Sequence, residues 1–566
     1  MVLGEPHDPP LSGDPDVPGP APHQAPSPSP PDARRRRLTW TFGSGADVAW
    51  TFQRALALVF LLAWISLGAQ VRLLIGARGL LPLADFLEAA RAAGVLRFTS
   101  FPSWLVFGSG DAAIVAGTAL GAGLALLTLA GIAPRTCLAA QTFLYLGYAV
   151  GCRSFLGFQW DNLLLEAGTL AVFLPTSRAA PLAHLLFRAL SFKLYFESGL
   201  AKWQSPIGDW RDGSAMTFYY ETAPLPTALA WFAHNLPAGW HHFESWAALT
   251  LELIVPFAFF GPRPARLAAA VAFTLFQIAN AATANYGFFC YLAVALHLFL
   301  LDERDVRALI AQRDRVRDWL RRRLRGRLPA TVWRSWLGRW RALPWASLLG
   351  RWPRRAALAL AVGGVTTWAA LSLGEGLFLF TALDPASAAA RPLAALVEAA
   401  QPFRLVGSYH LFASVTRERV EPELQVDEAA PSTSPSSEGR WRALAFDYKP
   451  GPVDRAPPLV APHQPRVDFL LWFYGLAFRR REPAYVAELL GRLCDDPASV
   501  SGLFTAPPPS HLRAVRIVFW DYRFTSPAER RTTHAWWTRR EIHTSPPVIC
   551  RSSALLDDLP VAPPPP

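Results

Sequence analysis

The chain has 566 residues, 52% of them hydrophobic, and a formal net charge of +12. A soluble domain already carries about 45–50% apolar residues, so clustering decides the class: several stretches of about 15–25 residues are almost free of charge, as a bilayer span requires, which excludes a wholly soluble protein. The basic excess lies largely in one arginine-rich stretch between apolar segments, where membrane topology accounts for it and nucleic-acid binding is set aside.

Lysine occurs only at Lys193, Lys202 and Lys449, the other basic residues being arginine. With abundant Ala and Pro, that bias points to a GC-rich coding sequence of bacterial type. The five cysteines show no CxxC or zinc spacing, so neither a redox motif nor a metal site is expected.

Residues 1–45 are Pro-rich and polar, too poor in apolar side chains to fold, and read as a disordered cytoplasmic tail. No secretory signal is visible, since the first apolar run begins near Phe52. The run Arg34 to Arg37 just before it holds the N-terminus in the cytoplasm. Spans are expected at 52–75, 112–133, 137–152, 162–175, 182–203, 243–261, 265–285, 286–301 and 356–382, eight of them forming a membrane domain over 46–303. Charge supports that count. The inner loops would carry Arg135, Arg178, Arg263 and Arg266, and the 302–355 segment has sixteen arginines against five acids. The outer loops at 153–161 and 204–242 have only Arg153 and Arg211, although 76–111 has Arg78, Arg91 and Arg97. Residues 304–355 then form a basic cytoplasmic connection anchored on anionic lipid.

The last span, 356–382, places residues 400–550 outside the cytoplasm. That region reads as a soluble α+β domain. Leu444, Phe446 and Tyr448, and again Val518, Trp520, Tyr522 and Phe524, alternate with the period of two of half-buried strands. Asp468 to Phe478 and Tyr485 to Cys494 have helical apolar spacing. Residues 427–439 read as a flexible polar loop and 551–566 as a Pro-rich tail. The expected fold is thus a multi-pass α-helical membrane protein with a C-terminal extracytoplasmic α+β domain.

The runs FQWDNLLLEAG (158–168), SFKLYFESGLAKW (191–203), GDWRDGSAMTFYYETAPLPTALAWFAHNLP (208–237) and NYGFFCYLAVALHLFLLDE (285–303) resemble the membrane domain of the lipase maturation factor family. PFRLVGSYHLFASVTRERVE (402–421), FDYKPG (446–451) and APHQPRVDFLLWF (461–473) resemble its C-terminal half, in family order. The resemblance implies a chaperone-like factor of the endoplasmic reticulum membrane that helps secreted lipases fold and assemble, the C-terminal domain contacting the client. In a bacterium the location would be the cytoplasmic membrane and the client another extracytoplasmic protein. Membrane lipid and secreted clients are the expected partners, with no cofactor. A shorter pattern, YFxSGLAKW…DWxxGSAM (195–216), is similar to the vitamin K-dependent carboxylase superfamily and implies the alternative of a membrane enzyme with Lys202 as general base.

Lys193 and Glu197 stand four apart on one helical face, and a structural ion pair is expected of them. Lys202 lies near the outer end of the same segment, where it either snorkels or acts as a base. Asp161 and Glu166 flank the fourth span as structural carboxylates. Asp209, Asp212, Glu221, His234, His241 and His242 lack tight ligand spacing, so no metal site is assigned to them. The aromatics Trp210, Tyr219, Tyr220, Trp231 and Trp240 form an interfacial belt or, for the first four, a client-binding surface. His463, Arg466 and Asp468 precede an apolar helix. They serve in capping and local ion pairing or in client contact. Cys494 and Cys550 share the extracytoplasmic side in this topology, where they can form a disulfide.

Overall fold

The computed structural model describes residues 45–176, 180–323, 354–381, 383–428, 441–480 and 482–550. The Pro-rich tail before residue 45, Arg34 to Arg37, the heart of the basic connection at 324–353, most of the polar loop and the tail from 551 lie outside the described residues.

The chain opens with helix α1 (Ala46–Gly68) and, after two short helices, α2 (Asp111–Ala130). Asp111 stands in the first turn of α2, where a carboxylate meets the positive end of the helix, and Gly131 stops it in the left-handed region at φ 77°. Gly117 and Gly121 form a GxxxG face: a Cβ at Gly121 would enter the Trp64 ring of α1, and one at Gly117 would meet Tyr148 and Trp104. Small residues thus let these helices approach closely where lipid offers no hydrophobic drive. Helices α3 (Pro134–Gly151), α4 (Gln159–Val172) and α5 (Pro181–Trp203) follow. The aromatic-rich connection folds into α6 (Ala215–Thr222) and α7 (Ala228–His234), and then come α8 (Ala238–Ile254) and α9 (Arg263–Thr283).

Five helical stretches are long and apolar enough to cross a membrane: Ala46–Gly68, Asp111–Ala130, Ala238–Phe260, Arg263–Thr283 and Val362–Phe380. Four further expected spans are helical but fail on length, apolarity or charge. The segment 286–301 has an eight-residue α-helix, α10 (Phe289–Leu296), and a 3₁₀ turn, and α4 has 14 residues. Helix α3 is longer yet falls outside the apolar set, and α5 carries Arg188, Lys193, Glu197 and Lys202, all buried. These are interior helices, enclosed by protein, with the spans that face outward around them: Leu58, Ile65, Leu120, Val271, Ile278 and Leu373 are all exposed.

Helix α11 (Glu303–Arg323) begins the basic connection, and α12 (Arg354–Phe380) and α13 (Arg391–Ala400) lead to the C-terminal region. Its antiparallel sheet has the order β2 (Trp441–Leu444), β1 (Arg419–Glu428), β3 (Leu512–Phe524), β4 (Trp537–Thr544), with β5 (Val548–Ile549) also beside β3. Helices α14 (Arg466–Leu476) and α15 (Ala484–Asp495) pack near it. The strand expected over 444–448 ends at Leu444, and Phe446 makes only an isolated bridge to Phe504. Strand β1 escaped the sequence reading because Pro422 interrupts it and its burial does not alternate strictly. Pro422 is tolerated there because β2 pairs only with Leu424 to Asp427, which leaves that end of β1 with a free edge.

Candidate functional site

The C-terminal region is not a separate body tethered by α12. Its loops thread between the helices and satisfy carboxylates buried in the bundle. Arg466, at the start of α14, makes a two-pronged contact with Asp161 of α4 at 2.6 and 2.8 Å, and the Tyr145 hydroxyl adds a third bond to that carboxylate at 2.7 Å. Arg466 and Asp161 are 2% and 0% exposed. Glu166, one turn further along α4, accepts from the Tyr409 hydroxyl at 2.6 Å, the Gly407 amide at 3.1 Å and the Trp368 indole at 2.8 Å.

The ion pair expected between Lys193 and Glu197 is replaced by another. Lys193 reaches Glu166 at 3.6 Å, and Glu197 accepts from the Tyr409 amide at 2.8 Å. One face of a helix allowed the local pair, but α4 brings a carboxylate to Lys193 and the loop after Phe403 brings a backbone amide to Glu197. Asp209 takes the Val415 amide at 2.9 Å, and Glu221 takes the Phe524 amide at 2.7 Å and Arg523 at 3.0 Å. In the opposite direction, buried Arg419 donates to the carbonyls of Glu221 and Pro224, each at 2.9 Å. Asn285 similarly holds Pro458, Val460 and Ala461. Ser66 of α1 and Gln70 just beyond its end bind the backbone of Gln464 and Arg466.

The residues expected at a client surface are therefore largely internal. Trp210, Tyr219, Tyr220 and Trp231 are each 6% exposed or less. The Trp210 indole bonds the Phe412 carbonyl at 3.0 Å and the Trp231 indole the Thr525 carbonyl at 2.8 Å. Trp240 alone of the expected belt is well exposed. His463 is half-buried against Ser66 at 3.0 Å, and burial holds its imidazole below the ordinary histidine range. Asp468 does not cap α14. It stands a turn inside, and Pro465 occupies the cap without a side-chain bond.

Asp468 instead belongs to a buried charged group in the C-terminal region. Glu421 of β1 bridges Arg419 and Lys449, each at 2.6 Å. Burial pushes the Asp468 carboxyl up to about 7, with Lys449 pulling it back, and burial lowers the Lys449 ammonium. A carboxyl with a raised folded value against about 3.9 unfolded contributes stability below about 4 that is lost as pH rises through about 7. The thermal midpoint of the purified protein should fall between about pH 4 and 7, and Asp468→Asn should flatten that slope. An unchanged slope in the variant would assign the dependence elsewhere.

Cys494 and Cys550 are disulfide-bonded, tying the end of α15 to the chain just after β5. Cys137, Cys152 and Cys290 are buried and free. Among the described residues, no group of three His, Cys, Asp or Glu side chains is placed to hold a metal ion.

Behind the seam, a cavity of about 710 Å³ opens among α5, α6, α8 and α9. Lys202 lies on its wall, paired with Glu252 at 2.6 Å and donating to the Leu411 carbonyl at 2.8 Å. Its ammonium is held on two sides, so the same side chain pins the C-terminal loop and neutralises a buried carboxylate. The sequence reading missed Glu252, Tyr409, Arg419 and Asn285. A glutamate inside an apolar segment was the available signal for Glu252; the others sit in loops or a strand, and the groups they bond between the bundle and the C-terminal region lie more than 50 residues away in sequence.

Together these features define a helical membrane protein whose C-terminal sheet domain is locked to the bundle by buried polar contacts. Residues 48–308 match the lipase maturation factor transmembrane domain and residues 405–547 match the lipase maturation factor C-terminal domain. The chain belongs to the lipase maturation factor family. It is 30% identical over 605 residues to lipase maturation factor 2 of Gallus gallus, covering 90% of this chain and 82% of that one. It is 29% identical over 530 residues to lipase maturation factor 1 of Bos taurus, covering 88% of each, and 29% identical over 532 residues to lipase maturation factor 1 of Homo sapiens. These relatives are vertebrate, and they lend no support to the bacterial membrane expected from composition. No solved structure matches the chain significantly.

Proposed function

We propose that this protein is a membrane-bound maturation factor that assists the folding and assembly of secreted lipases by non-covalent contact. The observation that carries the reading is the match to both family domains across most of the chain. The eukaryotic relatives favour the endoplasmic reticulum membrane, and the arginines flanking the apolar segments favour an N-terminus in the cytoplasm and a sheet domain in the lumen. The Cys494–Cys550 bond supports that side, because disulfides persist in oxidising compartments. With Trp210, Tyr219, Tyr220 and Trp231 buried, the client would meet exposed apolar side chains nearby, Leu229, Phe232 and Leu236, together with Leu459 of the C-terminal region.

The test is secreted lipase activity per unit of secreted lipase protein in cells lacking their own factor. Wild type should restore it, and Leu229→Ser with Phe232→Ser should lower it at matched membrane levels. Normal active lipase from cells without any factor would end the proposal.

The place of Lys202 on a cavity wall favours a second reading, in which it acts as a general base. Lys202→Met alone leaves Glu252 buried without its cation, so loss of activity in that variant does not separate chemistry from structure. Lys202→Met with Glu252→Leu removes both charges. Recovery of lipase yield in the double variant is the expected result; a protein that accumulates normally yet stays inactive would identify Lys202 as chemically active.

A further inference from the structure

The cavity beside Lys202 has a mouth on the membrane side of the bundle. Phe243 of α8 and Leu275 of α9 both line it and are 58% and 60% exposed, so it opens between two helices that are long and apolar enough to span a bilayer. Elsewhere along the same two helices, Ile254, Val271 and Ile278 are apolar and exposed. Lipid is therefore the medium in contact with it. Inside, α5 presents Tyr195, Ser198 and Lys202, and α8 presents Ala248 and Leu251.

The hydroxyls and the ammonium of this wall are already engaged with protein. Tyr219 and Tyr286 share a bond of 2.5 Å, Tyr195 bonds His297 at 2.8 Å, Ser198 bonds the Leu194 carbonyl at 2.7 Å and Tyr220 bonds Glu244 at 2.9 Å. Lys202 and Glu252 cancel each other's charge. A peptide entering from the bilayer would bring backbone N–H and C=O groups that find few partners here, at several kcal/mol each. A hydrocarbon chain asks for none, and a volume near 710 Å³ lies within the usual range for small-ligand pockets, about 300–1,000 Å³.

We propose that this cleft takes one acyl chain of a bilayer glycerophospholipid, which enters sideways between α8 and α9 and is held without selection of its headgroup. The site is independent of the client: it concerns what fills the bundle, and lipase yield does not enter its test.

The full-length protein is reconstituted into vesicles containing a phosphatidylcholine with a photoactivatable diazirine at the end of one acyl chain, irradiated and mapped by peptide mass spectrometry. Label is expected on Tyr195, Ser198 and Tyr219, which are nearly inaccessible from the outer surface, as well as on outward residues such as Ile65. A phosphatidylglycerol with the same chain should label the same inner positions equally. Ala248→Trp with Ala272→Trp should lower inner labelling about tenfold, the change that accompanies 1.4 kcal/mol, and leave labelling at Ile65 unchanged. Wild-type protein labelled only on outward residues overturns the proposal, and that result needs no variant to fold. Inner labelling that persists in the filled variant, or that depends on the headgroup, overturns it as well.

Discussion

Arg466→Met is expected to cost about 3–5 kcal/mol, the range seen when one partner of a buried ion pair is removed. Asp161 would remain fully buried with only Tyr145 as a side-chain hydrogen-bond donor. Against a total stability of about 5–15 kcal/mol, such a loss should greatly reduce accumulation in the membrane and lower the unfolding midpoint in detergent. Asp161→Leu combined with Arg466→Met should recover much of it, because an apolar pair of similar volume carries no orphaned charge. If Arg466→Met unfolds at the wild-type midpoint, the contact does not hold the two regions together. Arg466 would then be free for the client role that its sequence position suggested.

Truncation after Ala400 is expected to have the larger effect, on the membrane part as well as on the part removed. It would take away the Tyr409 amide from Glu197, the Val415 amide from Asp209, the Phe524 amide and Arg523 from Glu221, the Arg466 partner of Asp161, and two of the bonds to Glu166. Leaving a buried acceptor unpaired costs about 1–3 kcal/mol, and more where the group is charged. The bundle over 45–400 should fail to accumulate, and a co-expressed fragment from 401 should restore part of it by supplying the same amides. Quantitative membrane blots with limited proteolysis would show this. A truncated bundle that accumulates normally and resists proteolysis like the whole protein would mean that the helices close without the C-terminal region. Lipase yield from such a truncation could not by itself assign client contact to the sheet domain, since the bundle would be damaged too.

The sites read from the sequence divide along a physical line. Lys193, Glu197, Asp161 and Glu166 stood out because ionisable groups in apolar segments must find partners, and each does find one. Which partner it finds was not legible. Helical spacing offers Glu197 to Lys193, yet Lys193 pairs with Glu166 on another helix, and Glu197 and Glu166 bond Tyr409, more than 200 positions away in a loop with no periodicity of its own. The aromatics of 210–231 have the composition of an interfacial belt, but four of them are buried by α7, α8 and the C-terminal loops. A sequence cannot show which side of a short helix another segment will cover.

Taken by itself, the sequence determined the class of this protein. Long uncharged stretches set the membrane helices, because a bilayer rewards apolar length locally and needs no distant contact. Alternation set strand β3, and apolar spacing set α14 and α15, for the same local reason. Family resemblance came from long runs retained in order. Tertiary structure alone decided that α3, α4 and α5 lie inside the bundle, that the C-terminal region is wedged into it, and that a cavity remains beside Lys202. Each of those outcomes depends on pairing buried charges across the chain, and desolvation makes an unpaired charge costly wherever its partner happens to lie.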